Sequence, residues 1–454
     1  MDYHDSLRYL YGLVDYEKTR IERYSPREFK IDRVVGLLEQ LGNPQHSYPT
    51  LHIAGTKGKG SVSVMMAQTA QAAGLKTGLY TSPHLHTYRE RMQINRVPIS
   101  RERMAGLLES IKPTVDAIPG ITTFEVTTAL AFLYFQLEEV DLAVMEVGLG
   151  GRLDATNVIR PEISIITSLS LDHTYLLGDT LAEIAAEKGG IIKQEVPVIS
   201  APQEASALEV LKDIAASHNA PLSVVGRDWV WTVKARNLQS QIVDIRHHPD
   251  PSPFDDSYEI GLIGDFQQEN ATVAVAAAAT LNQTGHSWAT PETLKEGLQN
   301  ASWAGRLEVL SSTPPVVVDS AHNPYSAGAL IESLQSWFPD TDWLLIYGAS
   351  NDKDIQGMLE ALLPHSEHVI VTRSYHPRAA APYSLADVCA EIGHGAEIAV
   401  DPTRALEQAW SHLKPGMGII ATGSIFLVAD IREAWSNRNG GLALPKGDWV
   451  DEPW

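Results

Sequence analysis

Short apolar runs alternate with helical patterns along this chain, and that alternation limits the possible folds more than any other feature. In the first three hundred residues, "TLHIAG" (50–55), "KTGLYTS" (76–82), "VDLAVMEVG" (140–148), "EISIITSL" (162–169) and "VPVISAP" (196–202) read as buried strands. Between them, "SVSVMMAQTAQAAG" (61–74), "TFEVTTALAFLYFQLEE" (123–139) and "TLAEIAAEKGGIIK" (180–193) read as helices. Strands covered on both faces are continuously apolar, so the pattern predicts an α/β fold with a mostly parallel sheet and helices on both faces. A second set begins near residue 303: "PVVVDSAHNP" (315–324), "DWLLIYGAS" (342–350), "HVIVTRS" (368–374) and "GMGIIATGS" (416–424). It predicts a smaller C-terminal α/β unit. The division falls at 299–304, giving units 1–300 and 304–454, and the polar stretch 246–259 reads as an excursion from the first unit. A length of 454 residues fits two domains.

The stretch "HIAGTKGKGS" (52–61) joins the first strand to the first helix. It departs from the common phosphate loop G-x-x-x-x-G-K-[ST], because Ile53 stands five residues before Gly58 and Gly60 follows Lys59. The chemistry survives the altered spacing. Gly55, Gly58 and Gly60 let backbone amides point inward, the helix N-terminus favours anions, and Lys59 adds a mobile cation. Ligands on parallel sheets gather at the carboxyl ends of the strands. Ser82, Glu146 and the pair Asp172–His173 are expected there, a donor set suited to a nucleotide-bound divalent metal. Hard-cation chemistry by itself favours Asp172 over His173.

The formal charge of −21 argues against a surface that tracks nucleic acid, so an anionic substrate must be held by local groups. No apolar run approaches the roughly 20 residues needed to span a bilayer. The polar start has no basic-then-apolar leader, and the single cysteine, Cys389, suits a reducing compartment. A cytoplasmic, monomeric protein with no membrane or nucleic-acid partner is expected.

The blocks "GTKGKGS", "TSPHL", "RERMQIN", "TTFEVTTALAF", "EVGLGGRLDATNV", "LDHTYLLGDTLAEIAAEKGGIIK", "GDFQQENATVA", "GRLEVL", "DSAHNP" and "TGSIFLV" occur over roughly residues 30–430. In that order they resemble the folylpolyglutamate synthases and dihydrofolate synthases, relatives of the Mur ligases. The resemblance implies a P-loop-type ATP-binding unit followed by a Rossmann-like one. It implies an ATP-dependent ligase that activates a carboxylate as an acyl phosphate and joins it to L-glutamate. The carboxylate is that of dihydropteroate or the γ-carboxylate of a reduced folate, and the family resemblance favours an enzyme that acts on both.

By the same resemblance, Gly58, Lys59, Gly60 and Ser61 hold the ATP phosphates, Asn270 contacts adenine, Arg306 a phosphate, and Asp319 and His322 the ribose and γ-phosphate. Ser82, Glu146 and His173 resemble ligands of Mg²⁺, and Lys188 resembles a lysine carried as a carbamate that serves a second ion. Lys59, Lys188 and His322 are the catalytic candidates. Phe124, Glu125, Arg152 and Asp154 fall in pterin-substrate blocks. Lys57 stands where many members have Asn. Two other readings remain: a Mur-type cell-wall amino-acid ligase, and a non-catalytic nucleotide-binding regulator. Against the first stand "TTFEVTTALAF" and a loop only 50 residues in, with no UDP-binding domain ahead of it. Against the second stand Lys188, Arg306 and His322.

Overall fold

The computed structural model describes residues 1–14, 31–440, 444 and 448. Residues 15–30 of the polar start and most of the expected second unit's end, 441–454, lie outside the described residues.

The first sheet contains β1 (Thr50–Ala54), β2 (Thr77–Tyr80), β3 (Met92–Ile94), β4 (Val97–Pro98), β5 (Leu142–Glu146), β6 (Ile163–Ile166), β7 (Val198–Ser200) and β8 (Leu222–Val224). Their order is β4-β3-β2-β5-β1-β6-β7-β8. All pairings from β2 to β8 are parallel, and β3 and β4 add an antiparallel edge. Every residue of β1 and β5 is buried. In β5, Leu142 and Val144 join the core under the helices Lys59–Ala72 and Phe266–Gln283. Ala143 and Met145 face the opposite core, under Arg101–Asp116 and Thr123–Leu137. Two covered faces explain why these strands read as unbroken apolar runs.

The helix Lys59–Ala72 is buried from Ser61 through Ala67, on every side. Burial on all sides removes the amphipathic stripe of a surface helix. Its first turn leaves no room beside it: Gly58 has φ +89°, and a Cβ there would overlap Asn270 Oδ1. The left-handed turn and the contact both require glycine.

Two sequence expectations change. The stretch 246–259 is no excursion: it spans the end of β10 (Gln241–His247) and most of β11 (Asp256–Ile260), which with β9 (Trp229–Arg236) form an antiparallel sheet. Val243, Ile245, Tyr258 and Ile260 are buried, while the intervening positions face outward and make the segment read as polar. The helix expected over 180–193 is Leu181–Gly189, stopping at the Gly189–Gly190 pair.

The third sheet is formed by β12 (Glu308–Ser312), β13 (Pro315–Val318), β14 (Asp342–Tyr347), β15 (Ser366–Val371), β16 (Glu397–Ile398) and β17 (Met417–Thr422). The order is β12-β13-β17-β14-β15-β16, parallel apart from the β12–β13 pair. Helices cover both faces, completing a Rossmann-like layer structure. Among the described residues no helix is long and apolar enough to cross a membrane.

Candidate active site

The loops leaving the carboxyl ends of β1, β2, β5 and β6 meet those leaving β13, β14, β15 and β17, and two adjoining cavities lie between them. Ser82, Pro83, Gly148, Leu149, His173, Arg306, Ser320 and His322 line both. Each cavity therefore joins segments more than two hundred residues apart in the chain.

The phosphate-loop cavity gathers Gly55–Ser61, Ser82, Glu146, Asp172, His173, Lys188, Asn270, Arg306, Asp319 and His322. Every expected nucleotide and metal residue is thus brought to one place. Lys59 Nζ donates to the Gly55 carbonyl at 3.0 Å, folding its cation back over the loop. Lys188, a residue only 5% exposed, donates from Nζ to the same carbonyl at 2.9 Å. Burial, then the charge of Lys59, pushes Lys188 down to about 7. Ser61 Oγ accepts from Gln267 Nε2 at 3.2 Å, and Asn270 Nδ2 donates to Gln267 Oε1 at 2.9 Å. Asn270 therefore lies in the second turn of the helix Phe266–Gln283, against the phosphate loop, rather than at the helix cap.

Glu146 is buried at the end of β5 and accepts from the Ser82 backbone N–H at 3.3 Å. Burial raises its carboxyl to about 7, against the opposing charge of Lys59. Burial lowers the His173 imidazole to about 4 despite Asp172 beside it, leaving it neutral, the form that ligates metals.

Asp172 turns instead to the other wall. Its Oδ2 accepts from Lys57 Nζ and from Asn323 Nδ2, each at 3.2 Å. His322 Nδ1 donates to the Ser320 carbonyl at 2.9 Å, which leaves Nε2 to accept from Lys57 Nζ at 3.0 Å. The charge of Lys57, then burial, pushes His322 down to about 4. Asp319 is committed to backbone: its two oxygens accept from Leu307 and Ala321 N–H at 2.7 and 2.8 Å. Those bonds fix the turn that presents Arg306.

The second cavity is more apolar, lined by Ile31, Val34, Phe124, Leu149, Leu153 and Phe426 among others. Phe124, Glu125 and Asp154 reach it. Glu125 also closes a capping box with Thr122, accepting its N–H at 2.7 Å, and pairs with Arg33 Nε at 3.0 Å. Asp154 accepts from Gly148 and Leu149 N–H at 3.1 and 3.0 Å, so its carboxylate shapes the glycine loop. Arg152 lines neither cavity: its guanidinium pairs with Glu187 at 2.7 Å on the surface.

Sequence reasoning missed Arg33, Arg91, Asp352, Lys353 and Arg378, all lining this cavity. Lys353 and Arg378 follow the carboxyl ends of β14 and β15, so the strand-end rule was the available signal. Arg378 Nε is buried without a hydrogen-bond partner among the described residues. Glu269, also missed, lines the phosphate-loop cavity, where burial raises it to about 7.

Known families and structures resemble this chain over most of its length. Residues 53–278 match the Mur ligase middle domain and 305–425 the Mur ligase glutamate ligase domain. The chain is 34% identical over 410 residues to the dihydrofolate synthase/folylpolyglutamate synthase of Bacillus subtilis, covering 89% of this chain and 94% of the relative. It is 31% identical over 446 residues to the folylpolyglutamate synthase of Lacticaseibacillus casei, covering 95% and 98%. Mycobacterium tuberculosis folylpolyglutamate synthase complexed with ADP superposes with a TM-score of 0.84 at 31% identity, covering 96% of this chain and 99% of that one.

Proposed function

The chain belongs to the folylpolyglutamate synthase/dihydrofolate synthase family of Mur ligases, and on that premise we propose how its two cavities divide the reaction. The enzyme is an ATP-dependent ligase. ATP phosphorylates the carboxylate of dihydropteroate or the γ-carboxylate of a folate, the amine of L-glutamate attacks the acyl phosphate, and an amide, ADP and phosphate result. A related structure is an FPGS–AMPPCP–folate complex, with a TM-score of 0.80 at 29% identity.

The observation that carries the proposal is the shared wall. Ser82, His173, Arg306 and His322 line both cavities, so ATP in the loop cavity and a pterin carboxylate in the apolar one would meet there. Two anions must approach each other, so charge neutralisation and alignment dominate the barrier. Gly58, Gly60 and Ser61 cradle the phosphates at the helix N-terminus, and Lys59 unfolds from Gly55 onto the outer ones. Arg306 faces the phosphate from the opposite wall. His322 holds Lys57 beside the loop, and Asp319 holds the turn that carries Arg306. Asn270 contacts adenine. Phe124 and Glu125 receive the pterin, with Asp154 keeping the glycine loop in shape. Arg33 and Arg91 add positive charge to that cavity. Lys353 and Arg378 bind the carboxylates of L-glutamate, a role supported by the unpartnered Arg378 Nε. Arg152 takes no direct part.

The donor set fits Mg²⁺. Glu146 is a buried carboxylate that accepts a 3.3 Å hydrogen bond from the Ser82 N–H, and desolvation of this kind favours pairing with a cation. Ser82, Glu146 and neutral His173 would hold one ion, and Lys188 as a carbamate a second. The ions would supply charge neutralisation for the transferring phosphoryl group. Burial of Lys188 favours the neutral amine, which is the form that takes up CO₂.

We place the division between the two units at 299–304. Arg306 and His322 then come from the second unit, and the nucleotide site is complete only when both walls are together. The test is an assay of phosphate release with L-glutamate and each of dihydropteroate, tetrahydrofolate and a cell-wall peptide precursor. Turnover with both pterins and none with the precursor is expected. Turnover with tetrahydrofolate alone removes the dihydropteroate activity, and turnover with the precursor overturns the pterin assignment.

A further inference from the structure

We propose that His368, Glu397 and His412 form a Zn²⁺ site at the β16 edge of the third sheet, outside both cavities of the ligase site. Three elements bring them together. His368 lies near the start of β15, and Glu397 opens the two-residue edge strand β16. Ile370 pairs in register with Glu397, so His368, two residues earlier, shares the face of Ile370. The helix Pro402–His412 covers that face through Leu406 and Ala409, and its last residue, His412, overhangs the edge.

The donor atoms converge. Glu397 Oε1 lies 3.1 Å from His368 Nε2 and 3.1 Å from His412 Nε2. One ligand atom from each of the three residues lies within 4.8 Å of the others. Donors about 2.0–2.1 Å from a tetrahedral Zn²⁺ are spaced about 3.3–3.4 Å apart, close to the two 3.1 Å spacings from Glu397.

The orientation of His368 separates this arrangement from an ordinary ion pair. Its Nε2 is excluded from solvent and makes no hydrogen bond among the described residues, although a carboxylate oxygen is 3.1 Å away. His412 Nε2 is hydrogen-bonded to the other carboxylate oxygen, Glu397 Oε2, at 3.3 Å, a contact a bound ion would replace, whereas the His368 nitrogen has no hydrogen bond to give up. Two imidazoles and one carboxylate suit Zn²⁺ better than Mg²⁺, and three protein donors leave a fourth position for water. All three side chains are partly exposed, so that position is reachable.

None of the three residues lines either cavity, and the site sits at the edge where the sheet ends in its shortest strand. A bound ion there would staple β15, β16 and the helix end together, and would not take part in ligation.

The experiment uses untagged full-length protein, freed of metal with a chelator and kept in excess Mg²⁺. It is titrated with Zn²⁺ by calorimetry, and separately with Co²⁺ followed by visible absorption. Wild type should bind one equivalent of Zn²⁺ that is weakened at least tenfold in both His412→Ala and Glu397→Gln. The Co²⁺ form should show ligand-field bands that both variants lose, and all three proteins should ligate glutamate at the same rate without Zn²⁺. Glu397→Gln keeps the side chain's shape, so its loss of binding does not reduce to misfolding. No Zn²⁺ bound by wild type, or equal binding by wild type and variants, overturns the proposal.

Discussion

Lys59 and Lys188 donate to one atom: the Gly55 carbonyl oxygen accepts their Nζ groups at 3.0 and 2.9 Å. Two amines converging on a single neutral acceptor, one of them the Lys59 cation, mark a place suited to anions. Burial, followed by the charge of Lys59, accounts for Lys188 being pushed down to about 7.

That depression gives the carbamate proposal its pH dependence. The neutral amine grows as pH rises through about 7 and is lost below it, so the carbamate should be lost on acidification. Wild type treated with ¹³C-bicarbonate should give a carbamate resonance at pH 8 that is absent in Lys188→Ala. The variant should be nearly inactive and partly rescued by a small carboxylic acid. An active wild-type enzyme without the resonance would leave Lys188 an ordinary cation.

Lys59→Ala should fold normally, because among the described residues the Lys59 ammonium hydrogen-bonds to carbonyls of its own loop. Its turnover should fall by about 10²–10³-fold, the loss seen when one transition-state donor is removed. Circular dichroism and steady-state rates on the same sample decide this, and undiminished turnover in a folded variant removes Lys59 from the phosphates.

Ser82→Ala leaves the backbone N–H that Glu146 accepts and removes only the hydroxyl. The Mg²⁺ concentration for half-maximal rate should rise by about tenfold or more, the lower range for losing support at a metal centre. A metal titration superimposable on wild type would exclude Ser82 as a ligand.

Arg378→Ala tests the place of the amino acid. The KM for L-glutamate should rise by about tenfold or more, as expected for losing a charge-assisted hydrogen bond worth about 1.5–3 kcal/mol. The KM for ATP should stay unchanged. A rise in the ATP value alone would move Arg378 to the nucleotide.

The legible parts of the fold were those under two-sided burial. β1 and β5 are buried at every residue and stand out as apolar runs. The sheet β9–β11 did not, because outward Asp244, Ser257 and Glu259 interrupt its apolar positions. β4 and β16, two residues each, are too short to carry any period. At the site, the loop, strand-end and "DSAHNP" residues announced themselves through motifs. Arg33 lies outside every block, Arg91 stands in "RERMQIN" with no role marked by its residue type, and only tertiary packing brings them to the cavity of Phe124. Arg152 shows the opposite failure. It stands inside a motif block, yet its side chain leaves on the far side of the turn toward Glu187. The sign of a residue's neighbours in sequence does not fix which way its side chain points.

The most direct test of the account follows a single oxygen atom. A folate labelled with ¹⁸O in its γ-carboxylate is incubated with enzyme, ATP, Mg²⁺ and L-glutamate, and the released phosphate is analysed by mass spectrometry. Attack by the carboxylate on the γ-phosphate leaves its oxygen bridging to phosphorus, and expulsion by the glutamate amine carries that oxygen away. One ¹⁸O per phosphate, matching the amide formed, is the predicted result. Unlabelled phosphate released in step with ligation would contradict the acyl phosphate and, with it, the meeting of carboxylate and ATP at the shared wall.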